Sequence, residues 1–222
     1  MKKAGAIDGN ARRTQRTVER ILAESLRLFN EQGEGNVATG TIATSLGMSP
    51  GNLYYHFRNK ERIVEALFRR FEARIDVDAV PSGDAAQAIE DLWLYLHLML
   101  EAIWDYRFLY RNLDDLLSRN RRLREVFNRI LDRKLAAVET LCADLVAAGA
   151  MRATPDEICT VARNALVVAT YWLNYRSVRR RDAQEPGDDL GQGAYQVLAL
   201  FAPYLRGEAR EHLEALGKRY ID

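Results

Sequence analysis

Apolar residues recur at helical spacing along almost the whole of this 222-residue chain. Ile21, Leu22 and Phe29, for example, fall on one face of a predicted helix, and Gly33 follows as a natural stop. Runs in which β-branched and polar residues alternate, which would indicate strands, do not occur in the sequence. The pattern therefore predicts an all-α protein.

The segment VPSGDAAQ, residues 80–87, is the clearest boundary in the chain, because Pro, Ser, Gly and Asp cluster there between two helical patterns. Helical patterns follow it at residues 85–105, 108–118, 122–148 and 189–205. A further helix is predicted to start at Thr154-Pro155, with Thr154 as its cap. The formal net charge of +1 is unevenly divided, since residues 1–76 contain 13 basic and 9 acidic residues. The N-terminal part is thus the more basic one, and it also contains an unusual aromatic segment.

Two short helical patterns separated by Gly47 make up TIATSLGMSPGNLYYHF, residues 41–57. This is the sequence form of a helix-turn-helix, and the turn requires Gly47 at positive φ. Tyr54, Tyr55 and His56 stand side by side near the end of the second helix, where neighbouring positions point about 100° apart. In a buried helix their hydroxyl and ring nitrogen groups would lack partners, and in water their aromatic rings would stay exposed. The sequence therefore predicts a surface that a polar partner covers.

DNA is the partner that fits this surface. The hydroxyl and imidazole groups of the aromatic residues can reach phosphate oxygens, and Gly51 allows the backbone to approach a duplex closely. Leu53 and Phe57, four residues apart, form the face that packs back on the preceding helix. The alternative is that Tyr54 to Phe57 are ordinary core residues. We expect a core role for Phe57, and for Leu53 before them.

The segment TGTIATSLGMSPGNLYYHFRNKERIV, residues 39–64, resembles the DNA-binding segment of the TetR family of bacterial transcriptional regulators. The matching positions are Ile42-Ala43, Gly47, Ser49, Gly51, Leu53-Tyr54, His56-Phe57 and Lys60. The resemblance covers roughly residues 14–64. It implies a three-helix DNA-binding domain, an all-helical ligand-binding domain behind it, and a homodimer on a palindromic double-stranded operator.

These considerations divide the chain into three segments. We expect a disordered N-terminal arm over residues 1–13, a helix-turn-helix DNA-binding domain over residues 14–60, and a helical ligand-binding and dimerisation domain over residues 61–222. Arg12, Arg13 and Arg16 have two open interpretations, a flexible arm that enters the minor groove of DNA or a solvated terminus without a partner.

The resemblance assigns one set of residues to the candidate DNA surface. They are Thr39, Thr41, Ser49, Pro50, Gly51, Asn52, Tyr54, Tyr55, His56 and Lys60. Ala38 stands where many members have a hydroxyl residue, so Thr39 is expected to cap the second helix instead. Pro50 stands where many members place a polar or basic residue that reaches a base, which leaves Asn52 and Tyr54 as candidates for base reading.

Two groups of aromatic residues lie in the second domain, within residues 93–110 and 171–175. Aromatic residues at helical spacing more often form core than pocket, yet tyrosine and tryptophan carry polar groups, and helix bundles often hold ligands. The resemblance favours a pocket that both groups share, for a small apolar or aromatic effector. The candidate lining residues are Trp93, His97, Trp104, Tyr110, Tyr171, Trp172 and Tyr175.

A homodimer is expected to form mainly through the helices at residues 156–178 and 189–205. Both segments carry more apolar residues than one buried stripe needs. Two helices from each subunit would use this excess as a four-helix bundle around a two-fold axis.

An enzyme is not indicated by the sequence. None of the three histidines has a neighbouring Cys or a carboxylate at metal-site spacing, and the chain has no Gly-rich phosphate loop and no GxSxG. We therefore expect no catalytic residues, no metal and no cofactor. Cys142 and Cys159 lack CxxC spacing, and no signal peptide or 18-residue apolar stretch occurs. These features predict a cytoplasmic protein without a membrane span.

The favoured function is therefore a ligand-responsive repressor, and two alternatives stay open. One is a constitutive DNA-binding or architectural protein that has no effector. The other is a helical enzyme or carrier whose sequence resembles a DNA-binding segment but which does not bind DNA.

Overall fold

The computed structural model of this chain describes residues 4–76, 85–179, 189–218 and 220. Its helices are α1 (Ala4–Gln32), α2 (Thr39–Ser45), α3 (Pro50–His56), α4 (Lys60–Ile75), α5 (Ala85–Asp105), α6 (Arg107–Arg111), α7 (Leu113–Arg119), α8 (Arg121–Ala147), α9 (Pro155–Arg179), α10 (Asp189–Ala199) and α11 (Gly207–Lys218), with 3-10 helices at Glu34–Asn36 and Ala202–Tyr204. Within these residues the only β-type pairing is an isolated bridge between Met151 and Leu205. The prediction of an all-α protein is confirmed.

Helices α1 to α4 pack around an apolar core at the N-terminal end of the chain. Ile21, Ile42, Leu53 and Ile63, one from each of the four helices, have no exposed surface. Helix α1 contacts both α2 and α4, and α2 contacts α3. Each helix buries one face in this core, which explains why the apolar residues recur at helical spacing in this part of the sequence.

Helix α1 is longer than the sequence predicted. It begins at Ala4, so the structure corrects the expected disordered arm over residues 1–13, of which residues 1–3 lie outside the described residues. Val18 packs against the core further along this helix. Once a helix is anchored, each added residue forms one more backbone hydrogen bond, so extension costs less than starting a new helix. Arg12 and Arg13 are exposed on this extension, and Arg16 is exposed just after it.

The second domain is a bundle in which α5 contacts α8, α10 and α11, while α8 and α9 contact each other. Leu92, Leu96 and Ile103 form the buried face of α5. Over the parts of the chain that the structure describes, no helix combines the length and apolar character needed to cross a bilayer. The linker predicted at residues 80–87 falls mainly on residues 77–84, which lie outside the described residues.

Two of the predicted helices are interrupted in the structure. Residues 108–118 divide at Asn112, whose φ of −120° and ψ of 26° end α6 and begin α7. The helix predicted over residues 189–205 ends at Ala199, and Pro203 follows in a 3-10 turn. Proline has no backbone N–H to give to an α-helix, which accounts for the second break.

The predicted start of α9 is confirmed in detail. Thr154 Oγ1 accepts a hydrogen bond from Glu157 N at 3.3 Å, and Glu157 Oε2 accepts one from Thr154 N at 2.7 Å. This reciprocal pair is a capping box. The bond from the Thr154 backbone, with one from its hydroxyl, lowers the pKa of the Glu157 carboxyl.

Both cysteines are free thiols, Cys142 on α8 and Cys159 on α9. Cys142 is buried on α8, and burial raises its pKa to about 12. A hydrogen bond with Glu139, together with burial, raises the pKa of Cys159 on α9. Neither thiol is therefore activated as a nucleophile, since the reactive form is the thiolate.

Candidate DNA-binding surface and effector domain

The turn between α2 and α3 has the geometry that the sequence required. Gly47 has a φ of +65°, where a side chain would be strained. Ser49 lies in the extended region, and its Oγ accepts a hydrogen bond from Asn52 N at 3.2 Å. Pro50 occupies the first helical position, where its missing N–H costs nothing. Local sequence signals therefore fix where α3 begins.

Helix α3 presents two different faces. Leu53 and Phe57 point into the core, as predicted. The opposite face is exposed and carries Ser49, Pro50, Gly51, Asn52, Tyr54 and Tyr55. Tyr55 is 81% exposed, so it contributes little to folding. His56 is half-buried, and its ring meets the Tyr55 ring edge-on at 5.1 Å between centroids. A row of polar-tipped side chains thus stands outside the core.

Helix α2 flanks this face. Thr41 is exposed, and Thr39 Oγ1 lies 3.1 Å from the hydroxyl of Tyr54. The expectation that Thr39 caps α2 is wrong, because Ala38 occupies the capping position and makes no side-chain bond there. Thr39 is instead the first helical residue. Its hydrogen bond with the Tyr54 hydroxyl links the first turn of α2 to α3.

Lys60 differs from the other candidate residues because its charge is paired with a carboxylate inside the protein. Its ammonium lies 3.0 Å from Glu34 Oε1 and donates a hydrogen bond to Glu34 O at 2.8 Å. The Glu34 side chain is 3% exposed, and Arg119 Nη2 approaches its other oxygen at 3.3 Å. A buried carboxylate needs such partners. A phosphate contact of Lys60 stays a prediction, and in this structure its charge is used to hold Glu34.

The seven candidate effector residues do not line one shared pocket. Trp104 and Trp172 do meet, around a small apolar space of about 10 Å³ between α5, α9 and α10. Gly193 on α10 makes room for the Trp172 ring, because a Cβ there would lie 2.7 Å from it. This space holds about one water molecule, so no effector fits it without movement.

Trp93 and His97 lie elsewhere on α5. The rings of Trp93 and His97 stack at 5.3 Å, and His97 Nδ1 lies 2.6 Å from the hydroxyl of Tyr220. Trp93 is eleven residues and His97 seven residues from Trp104, which on a helix correspond to roughly 16 Å and 10 Å. Tyr171 and Tyr175 lie four residues apart on the exposed side of α9, with 44% and 55% of their surfaces accessible.

Tyr110 is buried at the junction of the two domains. Its ring meets Phe71 of α4 at 5.7 Å and Phe127 of α8 at 5.9 Å between centroids. Complete burial raises the pKa of the Tyr110 hydroxyl. This aromatic series runs from the second domain into the helix that follows the DNA-binding surface.

An apolar groove of about 320 Å³ lies at one end of that aromatic series, between α7, α8 and α9. Phe127 forms part of its inner wall, and Val167 and Tyr171 lie along its edge on α9. The remaining lining residues are Leu113, Asp114, Leu117, Asn128, Leu131, Asp132, Leu135, Arg163, Leu166 and Thr170. Sequence reasoning missed the groove, since only Tyr171 of its residues belongs to the candidate set.

Comparison with known proteins identifies the family. A model described as "Bacterial regulatory proteins, tetR family" matches residues 21–67, and one described as "Bacterial transcriptional repressor" matches residues 62–213. A crystal structure of a TetR-family transcriptional regulator from Marinobacter aquaeolei superposes with a TM-score of 0.79. Its sequence is 38% identical, over 92% of this chain and 98% of that one.

Curated relatives match over part of the chain. The transcriptional regulator AcrR of Shigella flexneri is 28% identical over 87 residues, 37% of this chain and 40% of AcrR. The class A tetracycline repressor of Escherichia coli is 34% identical over 64 residues, 29% of this chain and 30% of the repressor. The chain thus spans less than half the length of these curated relatives. With the family models and the solved structure, the matches show that the chain belongs to the TetR family of bacterial transcriptional regulators.

Proposed function

We propose that this chain is a cytoplasmic repressor that binds a palindromic operator as a homodimer and is released by a small apolar or aromatic effector. The observation that carries the DNA-binding part is the exposed face of α3, where polar-tipped aromatic residues stand outside a complete core. Because Tyr54 and Tyr55 do not stabilise the fold through burial, a partner gives the best reason for their presence.

Tyr55→Ala is expected to lower operator affinity at least about tenfold, because a hydrogen bond to a charged phosphate contributes about 1.5–3 kcal/mol. The melting temperature should stay unchanged, since the side chain is 81% exposed. Fluorescence anisotropy on a duplex that the purified chain selects from a random library measures the affinity.

Tyr55→Phe is the matched variant for this test, because it retains the ring and removes only the hydroxyl. Operator affinity should also fall steeply with salt if several phosphates are contacted. Equal affinities of the parent and Tyr55→Ala would remove this residue from the DNA surface, and a salt-independent affinity would argue against phosphate contact altogether.

Dimerisation is supported by the exposed side of α9. Val167, Tyr171, Tyr175 and Val178 recur at intervals of three or four residues, and each is between 44% and 85% exposed. The opposite side of α9 is buried in its own subunit. A helix that is apolar on two sides needs a second surface to cover it. Helix α10 contributes less, because its apolar residues Val197 and Leu198 are already buried.

The groove between α7, α8 and α9 is our proposed effector site. Its volume of about 320 Å³ lies at the lower end of the range for small-molecule pockets, roughly 300–1,000 Å³. A ligand there would press on Phe127, and the ring contacts through Tyr110 to Phe71 lead to α4. The ligand can alter DNA affinity only by favouring one arrangement of this series.

A thermal-shift screen with small aromatic and aliphatic compounds tests the effector. A compound at a hundred times its Kd should stabilise the folded chain by about 2.7 kcal/mol. Leu131→Asn, in the groove wall, should abolish the shift, whereas Leu94→Asn on the exposed side of α5 should retain it. A chain that binds the operator but never shifts would instead be the constitutive DNA-binding protein.

A further inference from the structure

Asn30 is a buried amide at the end of α1 whose side chain reaches into the second domain. Its Nδ2 donates a hydrogen bond to Asp105 O at 2.8 Å, and its Oδ1 accepts one from Phe108 N at 3.1 Å. Asp105 is the last residue of α5, and Phe108 is the second residue of α6. One side chain of the DNA-binding domain therefore occupies the corner between two helices of the other domain.

This corner has polar groups that need partners. The last carbonyls and the first amides of a helix have no hydrogen-bond partner within that helix. Tyr106 precedes α6 and makes no side-chain capping bond, so Asn30 caps Phe108 from outside. Because Asn30 is only 6% exposed, water cannot readily replace these bonds.

Two further contacts strengthen the same junction. Arg111 at the end of α6 donates a hydrogen bond to Asn30 O at 3.1 Å, so α6 is joined to this residue at both of its ends. The rings of Phe29 and Phe108 meet at 5.3 Å between centroids. Helix α6 cannot shift along α1 without breaking buried hydrogen bonds.

Helix α6 also packs on α9, which carries the proposed dimer face. A direct route thus leads from α1 through Asn30 to α6 and α9, and it bypasses α4. We propose that Asn30 is a positioning residue that couples DNA binding at α3 to the conformation of α6. The inference rests on the proposed DNA-binding function and adds a second connection between the domains.

Hydrogen-exchange mass spectrometry of the full chain, with and without the selected duplex, tests the coupling. In the parent, the duplex should slow exchange both in α3 and in peptides that contain Phe108–Arg111. Asn30→Ala should raise exchange at α6 in the free protein by about tenfold, because Phe108 N loses its acceptor. It should also abolish the effect of DNA at α6 while retaining protection of α3.

Asn36→Ala is the matched control, since its side chain bonds only to Gln32 O within the same domain among the contacts described. Asn30→Asp retains the acceptor for Phe108 N and removes the donor to Asp105 O. It should rescue part of the DNA effect at α6, and it replaces Asn30→Ala in the test if the alanine variant does not fold.

The outcomes separate the two proposals. A chain that selects no duplex overturns the proposed function and this inference with it. A duplex that protects α3 without any effect on α6 in the parent overturns the coupling alone. The coupling is also overturned if α6 responds to DNA equally in the parent and in the Asn30 variants, because a purely structural role of Asn30 would leave that response intact.

Discussion

Val167→Glu is expected to convert a dimer of about twice 25.3 kDa into a monomer. Val167 lies in the middle of the exposed apolar stripe on α9 and is 53% exposed. A carboxylate there would meet its own copy or an apolar partner across the two-fold axis, where burying an unpaired charge is costly. Light scattering after size exclusion measures the mass directly.

Operator affinity should fall with the dimer. A single subunit reads one half-site, and linking two half-sites raises affinity by roughly 100- to 10,000-fold. The fold should survive, because the side chain is half exposed before any partner is bound. Leu94→Glu is the matched control, since Leu94 is 46% exposed on α5, away from the stripe. A dimer that persists in Val167→Glu would place the interface elsewhere.

Phe71→Ala is expected to destabilise the chain by about 3–5 kcal/mol, the usual cost of truncating a buried phenylalanine. Phe71 has no exposed surface, and its ring lies 5.7 Å from the rings of Tyr106 and Tyr110. The cavity would therefore open at the junction of the two domains. Equilibrium urea unfolding followed by circular dichroism, at a fixed protein concentration, measures the loss.

Phe71→Leu should cost much less, about 1.5 kcal/mol or below, because most of the volume is retained. Arg69→Ala is the control, because it introduces alanine into the same helix at an exposed position, two residues earlier, without opening a cavity in the core. A loss near 1 kcal/mol for Phe71→Ala would mean that the domains do not pack through this ring.

The sequence predicted most of what is decided locally. The cap at Thr154 and the positive φ of Gly47 each depend on a few neighbouring residues, and each is found in the structure. The inward side of α3 was also predictable, because helical spacing places Leu53 and Phe57 together. Thr39 is the exception, since the identity of a cap depends on a one-residue register that spacing does not define.

Contacts between distant parts of the chain were not predictable in this way. Lys60 meets Glu34, 26 residues away, and Asn30 meets Phe108, 78 residues away. An amide on the apolar face of α1 could have signalled an unusual partner, but nothing in one sequence names that partner. The expected pocket shared by the two groups of aromatic residues depends on such distant contacts as well. Residues that are close along a helix can point in different directions, so their side chains need not line one cavity.

The ion pairs of Glu34 with Lys60 and Arg119 affect how domains can be exchanged between relatives. A chimera cut at residue 60 would keep Glu34 with Lys60 but would lose Arg119, which belongs to the other domain. A foreign second domain without a cation at that place would leave one oxygen of a buried carboxylate unmatched, a costly state. The two domains are therefore adjacent modules in sequence but share one interior, and new specificities are better grafted onto the exposed face of α3 than introduced by whole-domain replacement.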